Sequence, residues 1–332
     1  MMRWLNIDDV TVVSAARRLA RQSALDIGLP QTRAEEIAIV TTEAATNALR
    51  HGGGGRILIQ KTPLQTGMGL ALIVVDDGPG IAHINTAMAD GNSSRGSAGL
   101  GLGAIRRLSD RFDIWAEAGI GTVVACEFAG PSKDAAPGSL AIAGLTVCHP
   151  AETQCGDSWT ARTSSSGTDI FLCDGLGHGP CAADAAKQAI EAFETEHGLP
   201  ADALSRLSRK LNGQRGVVAA AVRFHCNKSA LSYGAVGNIT TFVIREGETK
   251  RFPVRDGRLG GPPLTAYGET FDLCTGDIVV LHSDGLSTVR LSDFKHSLFA
   301  RSPLTIAATL LHRNFRGRDD ASIVVVRPSL LG

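Results

Sequence analysis

The chain has 332 residues, 43% of them hydrophobic, and its 33 basic and 33 acidic side chains cancel to a formal net charge of zero. A single core rarely extends beyond ~250–300 residues, so this length predicts two domains. Balanced charge argues against nucleic acid as a partner, and no apolar run approaches the ~20 residues a membrane helix needs.

The first residues show neither the apolar stretch nor the cleavage pattern of a signal peptide. Residues 9–25 and 32–50 read as helices; in the second, Ile37, Val40, Ala44 and Ala48 recur at helical spacing, and the glycines at 52–55 stop it. Strands are predicted over 56–62 and 69–75, a helix over 100–108, and strands over 112–117 and 122–128. Helices followed by strands predict helices packed on one face of a mixed sheet.

The run GPSKDAAPGS at 130–139 concentrates proline, glycine and small polar residues and predicts a boundary. It separates a domain at 1–130 from one at 140–332 through a linker at 131–139. The second half is strand-rich, with strands predicted at 140–148, 158–163, 169–173, 217–224, 230–235, 241–244, 277–283 and 322–327. Helices are predicted at 181–196, 201–211 and 304–313, so the whole reads as α+β, its second half two packed sheets flanked by helices.

Seven cysteines, odd in number and without a Cys-x-x-Cys pair, argue against a disulfide framework or zinc knuckle. They read as buried apolar groups in a reducing compartment, and the chain as cytoplasmic.

Chemistry concentrates in two places. On the second helix, Glu43 and Asn47 stand four apart and project from one face, where a carboxylate beside a carboxamide can orient water and hold Mg²⁺. Taken alone, that pair reads as a solvated helix face. Downstream, VVDDGPGI ends an apolar strand at Asp76 and continues through Gly78 and Gly80, a buried carboxylate beside a turn without side chains. GLGLG, with Gly99, Gly101 and Gly103, opens a helix whose bare amides suit phosphates.

In this order the three elements resemble the GHKL-type ATPase domain shared by sensor histidine kinases, gyrase-type enzymes and anti-sigma serine kinases. Gly121 and Thr122 resemble its closing Gly-Thr, and the run from Gly99 to Thr122 is most similar to the small serine kinases and switch proteins of bacterial stress and sporulation signalling. Over about residues 8–128 the resemblance implies a Bergerat-type α/β sandwich. It implies Glu43 as general base, Asn47 as Mg²⁺ ligand, Asp76 as adenine anchor, and Gly78, Gly80, Gly99, Gly101, Gly103 and Thr122 around ATP. The loop at 82–98 is short, with Arg95 its one strong cation, so nucleotide binding is the firmer expectation and phosphoryl transfer the further one.

In the second half, aspartates fall where strands meet turns: Asp157 in CGDSW, Asp174 in CDGLGHG, Asp284 in HSDGL and Asp319 in GRDDAS. Singly, each reads as turn chemistry. Together they read as carboxylates whose repulsion calls for hard divalent cations, Mg²⁺ or Mn²⁺.

With the run Asp174 to Gly179, this order resembles the SpoIIE-like, PPM-type metal-dependent serine/threonine phosphatases over roughly 140–330. That resemblance implies a four-layer αββα sandwich and a two-metal centre built from Asp157, Asp174, the Gly175 carbonyl, Asp284 and Asp319. His178 reads equally as a general acid or as a support for its loop. Asp320 is expected to point away from the centre, because successive residues entering a strand face opposite ways. Arg162 is a loose candidate for binding phosphate, and Asn238 receives no role.

The combined resemblance implies a bacterial stress or sigma-factor signalling enzyme. Its clients would be STAS-domain anti-sigma antagonists or stress-complex scaffold proteins. The alternative makes the first half an ATP-gated module that binds a partner and controls the phosphatase without transferring phosphate.

Overall fold

The structure, a computed structural model, describes residues 2–64, 67–88, 101–129 and 140–328. The chain divides into two compact units, one of residues 3–137 with 300–312, the other of residues 138–299 and 313–332 with Met2.

In the first unit the elements run β1 (Leu5–Ile7), α1 (Val10–Asp26), α2 (Gln31–His51), β2 (Gly55–Leu64), β3 (Gly67–Asp76), α3 (Ile84–Ala87), α4 (Gly101–Leu108), β4 (Arg111–Glu117) and β5 (Gly121–Phe128). Asp9 starts α1 by accepting hydrogen bonds from the Thr11 and Val12 amides at 2.6 and 3.2 Å, satisfying donors that the first helical turn leaves open. The buried faces of α1 and α2 are rich in alanine: Ala16, Ala20 and Ala24 on one, Ala44, Ala45 and Ala48 on the other. Small side chains let the two helices pack closely, and they share a core with Ile57, Ile59, Leu70, Leu72, Val74 and Val124 of the sheet. Each fully buried aliphatic side chain contributes roughly 1.5–3 kcal/mol.

The sheet order is β1-β2-β3-β5-β4 and every pairing is antiparallel. That corrects the expectation of a mixed sheet. Connections as short as those between β2 and β3 and between β4 and β5 can join only antiparallel neighbours, since a parallel crossover needs a dozen residues or more.

The rest of the chain supplies β6 (Ala141–Val147), β7 (Asp157–Ser164), β8 (Gly167–Gly175), α5 (Pro180–Glu194), α6 (Pro200–Lys210), β9 (Val217–His225), β10 (Ala230–Val236), β11 (Thr240–Arg245), β12 (Glu248–Arg251), β13 (Tyr267–Asp272), β14 (Ile278–His282), α7 (Pro303–Asn314) and β15 (Ala321–Arg327). Most of α7 is counted with the first unit.

Two antiparallel sheets form the second unit, ordered β13-β10-β9-β8-β7 and β12-β11-β14-β15-β6. Ile170, Leu172, Val222, Leu231 and Tyr233 of one meet Val243, Val279, Leu281 and Val324 of the other. The opposite face of the first sheet, through Phe171, Cys173, Ala219 and Ala221, is covered by α5 and α6. Central strands are therefore covered on both faces, and β9 and β10 read as nearly unbroken small and apolar runs.

The strands β1, β12 and β13 escape the sequence pattern. No helix of the described residues is long and apolar enough to cross a membrane. Of the seven thiols, Cys126, Cys148, Cys155 and Cys173 are buried, whereas Cys181, Cys226 and Cys274 are exposed, which corrects the expectation that all would be.

Candidate nucleotide and metal sites

In the first unit, Glu43 and Asn47 are half-buried on α2, at the margin of the face that buries Ala44, Ala45 and Ala48. Strand β3 ends at Asp76, and its pairing with β5 sets Thr122 directly opposite. Asp76 Oδ1 accepts from the Gly78 amide at 3.0 Å. Burial raises the Asp76 carboxyl above the usual carboxylate range, while the Gly78 amide and Thr122 pull it back.

Glycines make this corner possible. A Cβ on Gly80, where φ is +69°, would lie 2.1 Å from the Glu117 carbonyl oxygen, and one on Gly121 2.0 Å from the Asp76 carbonyl oxygen. At Gly52, just past the end of α2, a Cβ would lie 2.6 Å from Asp76 Cβ, so the helix carrying Glu43 and Asn47 runs out against the Asp76 turn. Gly52 is a site-building residue that reads in sequence only as a helix stop. Gly101 and Gly103 open α4, which packs against α2; Arg95 and Gly99 lie outside the described residues.

In the second unit, β7 and β8 pair with Asp157 directly opposite Asp174. Asp284 stands just beyond β14 and Asp319 just before β15, strands that pair in the other sheet. Burial is the largest influence raising the Asp174 carboxyl, followed by the charges of Asp157, Asp284, Asp319 and Asp320. The four aspartates singled out by motif thus share one electrostatic neighbourhood. Asp157 is likewise raised, by burial first and by Asp320 and Asp284, against hydrogen bonds from Ser283 and Ser322 that lower it.

The donor set fits hard cations. Asp157 Oδ2 accepts from Ser283 Oγ at 2.6 Å, but Asp157 Oδ1 is buried with no hydrogen-bond partner among the described residues, an orphaned anionic oxygen that a cation would satisfy. Asp284 Oδ2 accepts from Asn238 Nδ2 at 2.8 Å. Among the described residues, no three of these four carboxylates bring oxygens within 4.8 Å of one another.

Tight glycines again fix the backbone. A Cβ on Gly175 would lie 2.3 Å from the Ala182 carbonyl oxygen, and one on Gly285 1.9 Å from that of Asp320. Asn238 and Ser283, which touch the aspartates directly, are residues the motif reading missed; only their adjacency to Gly237 and Asp284 signals them.

His178 donates from Nδ1 to Glu152 Oε1 at 2.8 Å, and its ring stacks on His149 with centroids 4.4 Å apart. These contacts tie its loop to the loop at 149–156. Arg162 is not placed to hold a client phosphate. Its guanidinium donates to the carbonyls of Phe193 at 2.6 Å, Glu194 at 2.8 Å and Glu196, and pairs with Asp169 at 3.0 Å, so it closes the C-terminal end of α5. The Asp320 oxygens accept from the His149 and Gly156 amides at 2.7 and 2.9 Å, yet its charge acts on both Asp157 and Asp174, so it stands beside the cluster rather than apart from it as expected.

Comparison with known proteins places these geometries. Residues 8–127 match the histidine kinase-like ATPase domain and residues 164–329 match the stage II sporulation protein E (SpoIIE) family. The serine/threonine-protein kinase RsbT of Bacillus subtilis (strain 168) is 36% identical over 112 residues, 34% of this chain and 84% of that protein. A solved structure from work on the bacterial stressosome, described as a modular system adapted to control secondary messenger signalling, is 27% identical with a TM-score of 0.51, covering 57% of this chain and 100% of its own. The phosphatase domain of Bacillus subtilis SpoIIE with a fragment of its regulatory domain is 18% identical with a TM-score of 0.49, covering 97% of each chain. The chain belongs to the SpoIIE family through its second half and to the family of RsbT through its first, where it also matches the histidine kinase-like ATPase domain.

Proposed function

We propose that this chain is a metal-dependent protein serine/threonine phosphatase of bacterial stress or sigma-factor signalling, joined to an ATP-binding domain with protein-serine kinase capacity. The observation that carries the reading is the shared neighbourhood of Asp157, Asp174, Asp284 and Asp319 at the ends of four strands, with one buried oxygen of Asp157 unsatisfied.

Asp157, Asp174, Asp284, Asp319 and the Gly175 carbonyl hold Mg²⁺ or Mn²⁺. When bound, such a cation pair neutralises charge on the phosphoryl group and activates water for in-line attack. Ser283 fixes Asp157 by its 2.6 Å hydrogen bond, and Asn238 fixes Asp284. These contacts hold ligand oxygens in place before a substrate arrives. Glu152 and His149 steady the Asp174 to Gly179 loop through His178, which supports that residue's structural role.

In the first unit, Asp76 anchors adenine with Thr122 beside it, the Gly78 and Gly80 turn lets the base approach, and Asn47 holds Mg²⁺ next to Glu43. Gly101 and Gly103 present amides to the phosphates, and Gly99 is the first glycine of the same motif. The domains are 1–130 and 140–332 with a linker at 131–139, and the protein works in the cytoplasm. Its clients are phosphorylated STAS-domain antagonists or stress-complex scaffold proteins; the relatedness to RsbT and the likeness to a stressosome structure support that class.

Purified protein with Mn²⁺ is expected to release phosphate from a phosphoserine client and from a small aryl phosphate. Asp284→Asn removes a charged ligand while keeping its size, so both rates should fall by at least about 100-fold. Equal activity in that variant removes the assignment of the metal site.

A further inference from the structure

A second cluster with ligand chemistry lies in the same unit as the aspartates. Cys148 immediately follows β6, and Cys155 stands two residues before β7. The loop between them is closed at its neck by Asp320, which takes the His149 and Gly156 amides, one on each carboxylate oxygen. Gly156 permits the closure, since a Cβ there would lie 2.9 Å from Asp320 Oδ2 and 2.8 Å from Ala182 Cβ.

As a result both sulfur atoms and an oxygen of Asp320 lie within 4.8 Å of one another, all three residues buried. Among the described residues Asp320 has no Lys, Arg or His ion-pair partner, although it is 2% exposed. The two thiols also hydrogen-bond each other, so two soft donors and one hard donor stand together in one buried cluster.

We propose that Cys148, Cys155 and Asp320 bind one thiophilic divalent cation of the zinc class, separately from the hard-cation site. Tetrahedral bonds of about 2.3 Å to sulfur and about 2.0–2.2 Å to oxygen set ligand atoms roughly 3.6–3.8 Å apart, a contraction of about an ångström or less from the present limit. The two backbone amides on Asp320 are the outer contacts that orient a carboxylate ligand. On binding, the cation forms two metal–sulfur bonds and one metal–oxygen bond, both thiol protons pass to solvent, nothing is oxidised or reduced, and water completes the fourth position. The bound cation clamps the neck of the loop that carries His149 and Glu152, the residues packed on His178.

The test uses the full chain, reduced, stripped with chelator and saturated with Mg²⁺ so that oxygen ligands are occupied. Titration with Co²⁺ should release two protons per chain and give one equivalent of thiolate-to-cobalt charge-transfer absorption, which Zn²⁺ then displaces with no further proton release. The band should persist when the exposed Cys181, Cys226 and Cys274 are replaced by serine and vanish in Cys148→Ser and Cys155→Ser. Absence of the band in the wild-type chain, or its survival in the Cys148→Ser/Cys155→Ser double variant, overturns the proposal. Proton release from the wild-type chain needs no variant, so a folding failure in the serine proteins leaves the question decidable: fewer than two protons also overturns it. Aryl-phosphate hydrolysis with Mn²⁺ reads the phosphatase assignment independently, so one proposal can fail without the other.

Discussion

His282 precedes Ser283 and Asp284 at the end of β14 and is almost fully buried. Its Nδ1 lies 2.8 Å from the Ser283 carbonyl oxygen and donates to it, while Nε2 is buried without a partner among the described residues and Phe242 faces the ring edge-on. Burial is the main reason its pKa falls to about 4, with Arg251 and Arg316 adding to the fall and the Ser283 bond and Asp284 opposing it. A folded-state value below the unfolded ~6.5 means that the unfolded chain binds a proton the folded one refuses. The stabilisation is therefore complete above pH 6.5 and is lost as pH falls toward 4, by about 3 kcal/mol across that window. The aspartate cluster works in the opposite sense: raised carboxyls bind protons more readily when folded, so acid relieves their repulsion. Urea unfolding of metal-free wild type and His282→Gln should separate the two, the stability difference between them changing between pH 7 and 4 by the histidine's share. A constant difference over that range would mean His282 titrates normally in the fold.

Among the elements, α5 shows how one residue type can belong to two unrelated jobs. Arginine near a phosphatase centre invites a phosphate-binding reading, yet Arg162 donates to three carbonyls at the end of α5 and lies over the Phe193 ring, 4.6 Å from its centroid. Arg162→Ala strands those carbonyls while Asp169 keeps Arg223 at 2.5 Å, so the expected loss is about 2–4 kcal/mol of stability. Calorimetry should show the lower melting temperature, and KM for a phosphoserine peptide should stay within twofold; a KM rise without destabilisation would restore the phosphate role. Arg162→Lys should rescue poorly, because one ammonium cannot reproduce a planar fork.

Helices and central strands were legible because their burial writes a period into the sequence: α2 spans residues 31–51 where 32–50 is read, and β9 spans 217–225 where 217–224 is read. The three missed strands all lie at sheet edges. β12 is exposed along its whole length and β13 buries no residue, so each is held by pairing to a neighbour rather than by an apolar face of its own. Site residues divide the same way. Asp157, Asp174, Asp284 and Asp319 stand in recognisable turns, whereas Asn238 matters because β11 pairs with β14 and thereby brings it to Asp284. Such a contact is a property of the sheet, and no local stretch of sequence carries it.

At the scale of the whole molecule, two units have separate cores, and on the proposed reading one would remove phosphate from a serine while the other, if it transfers phosphate at all, would add it. An enzyme that both added and removed the same phosphate would only consume ATP, so the pairing makes sense if the clients differ or if nucleotide occupancy governs one activity at a time. Asp76→Asn distinguishes these arrangements, because the amide keeps the size of the side chain and an oxygen for the Gly78 amide while losing the charge that adenine's amino group would meet. ATP affinity should fall at least tenfold, and transfer of γ-labelled phosphate to an antagonist-type client should disappear. Hydrolysis of a small aryl phosphate with Mn²⁺ should be unchanged, since Asp157, Asp174, Asp284 and Asp319 belong to the second unit. If wild-type protein instead binds its client only with ATP and never labels it, the first half is a nucleotide-gated docking module. If Asp76→Asn slows aryl-phosphate hydrolysis as well, the nucleotide site influences the phosphatase rate, and titrations of ATP with and without a phosphatase-site ligand measure the coupling free energy between them.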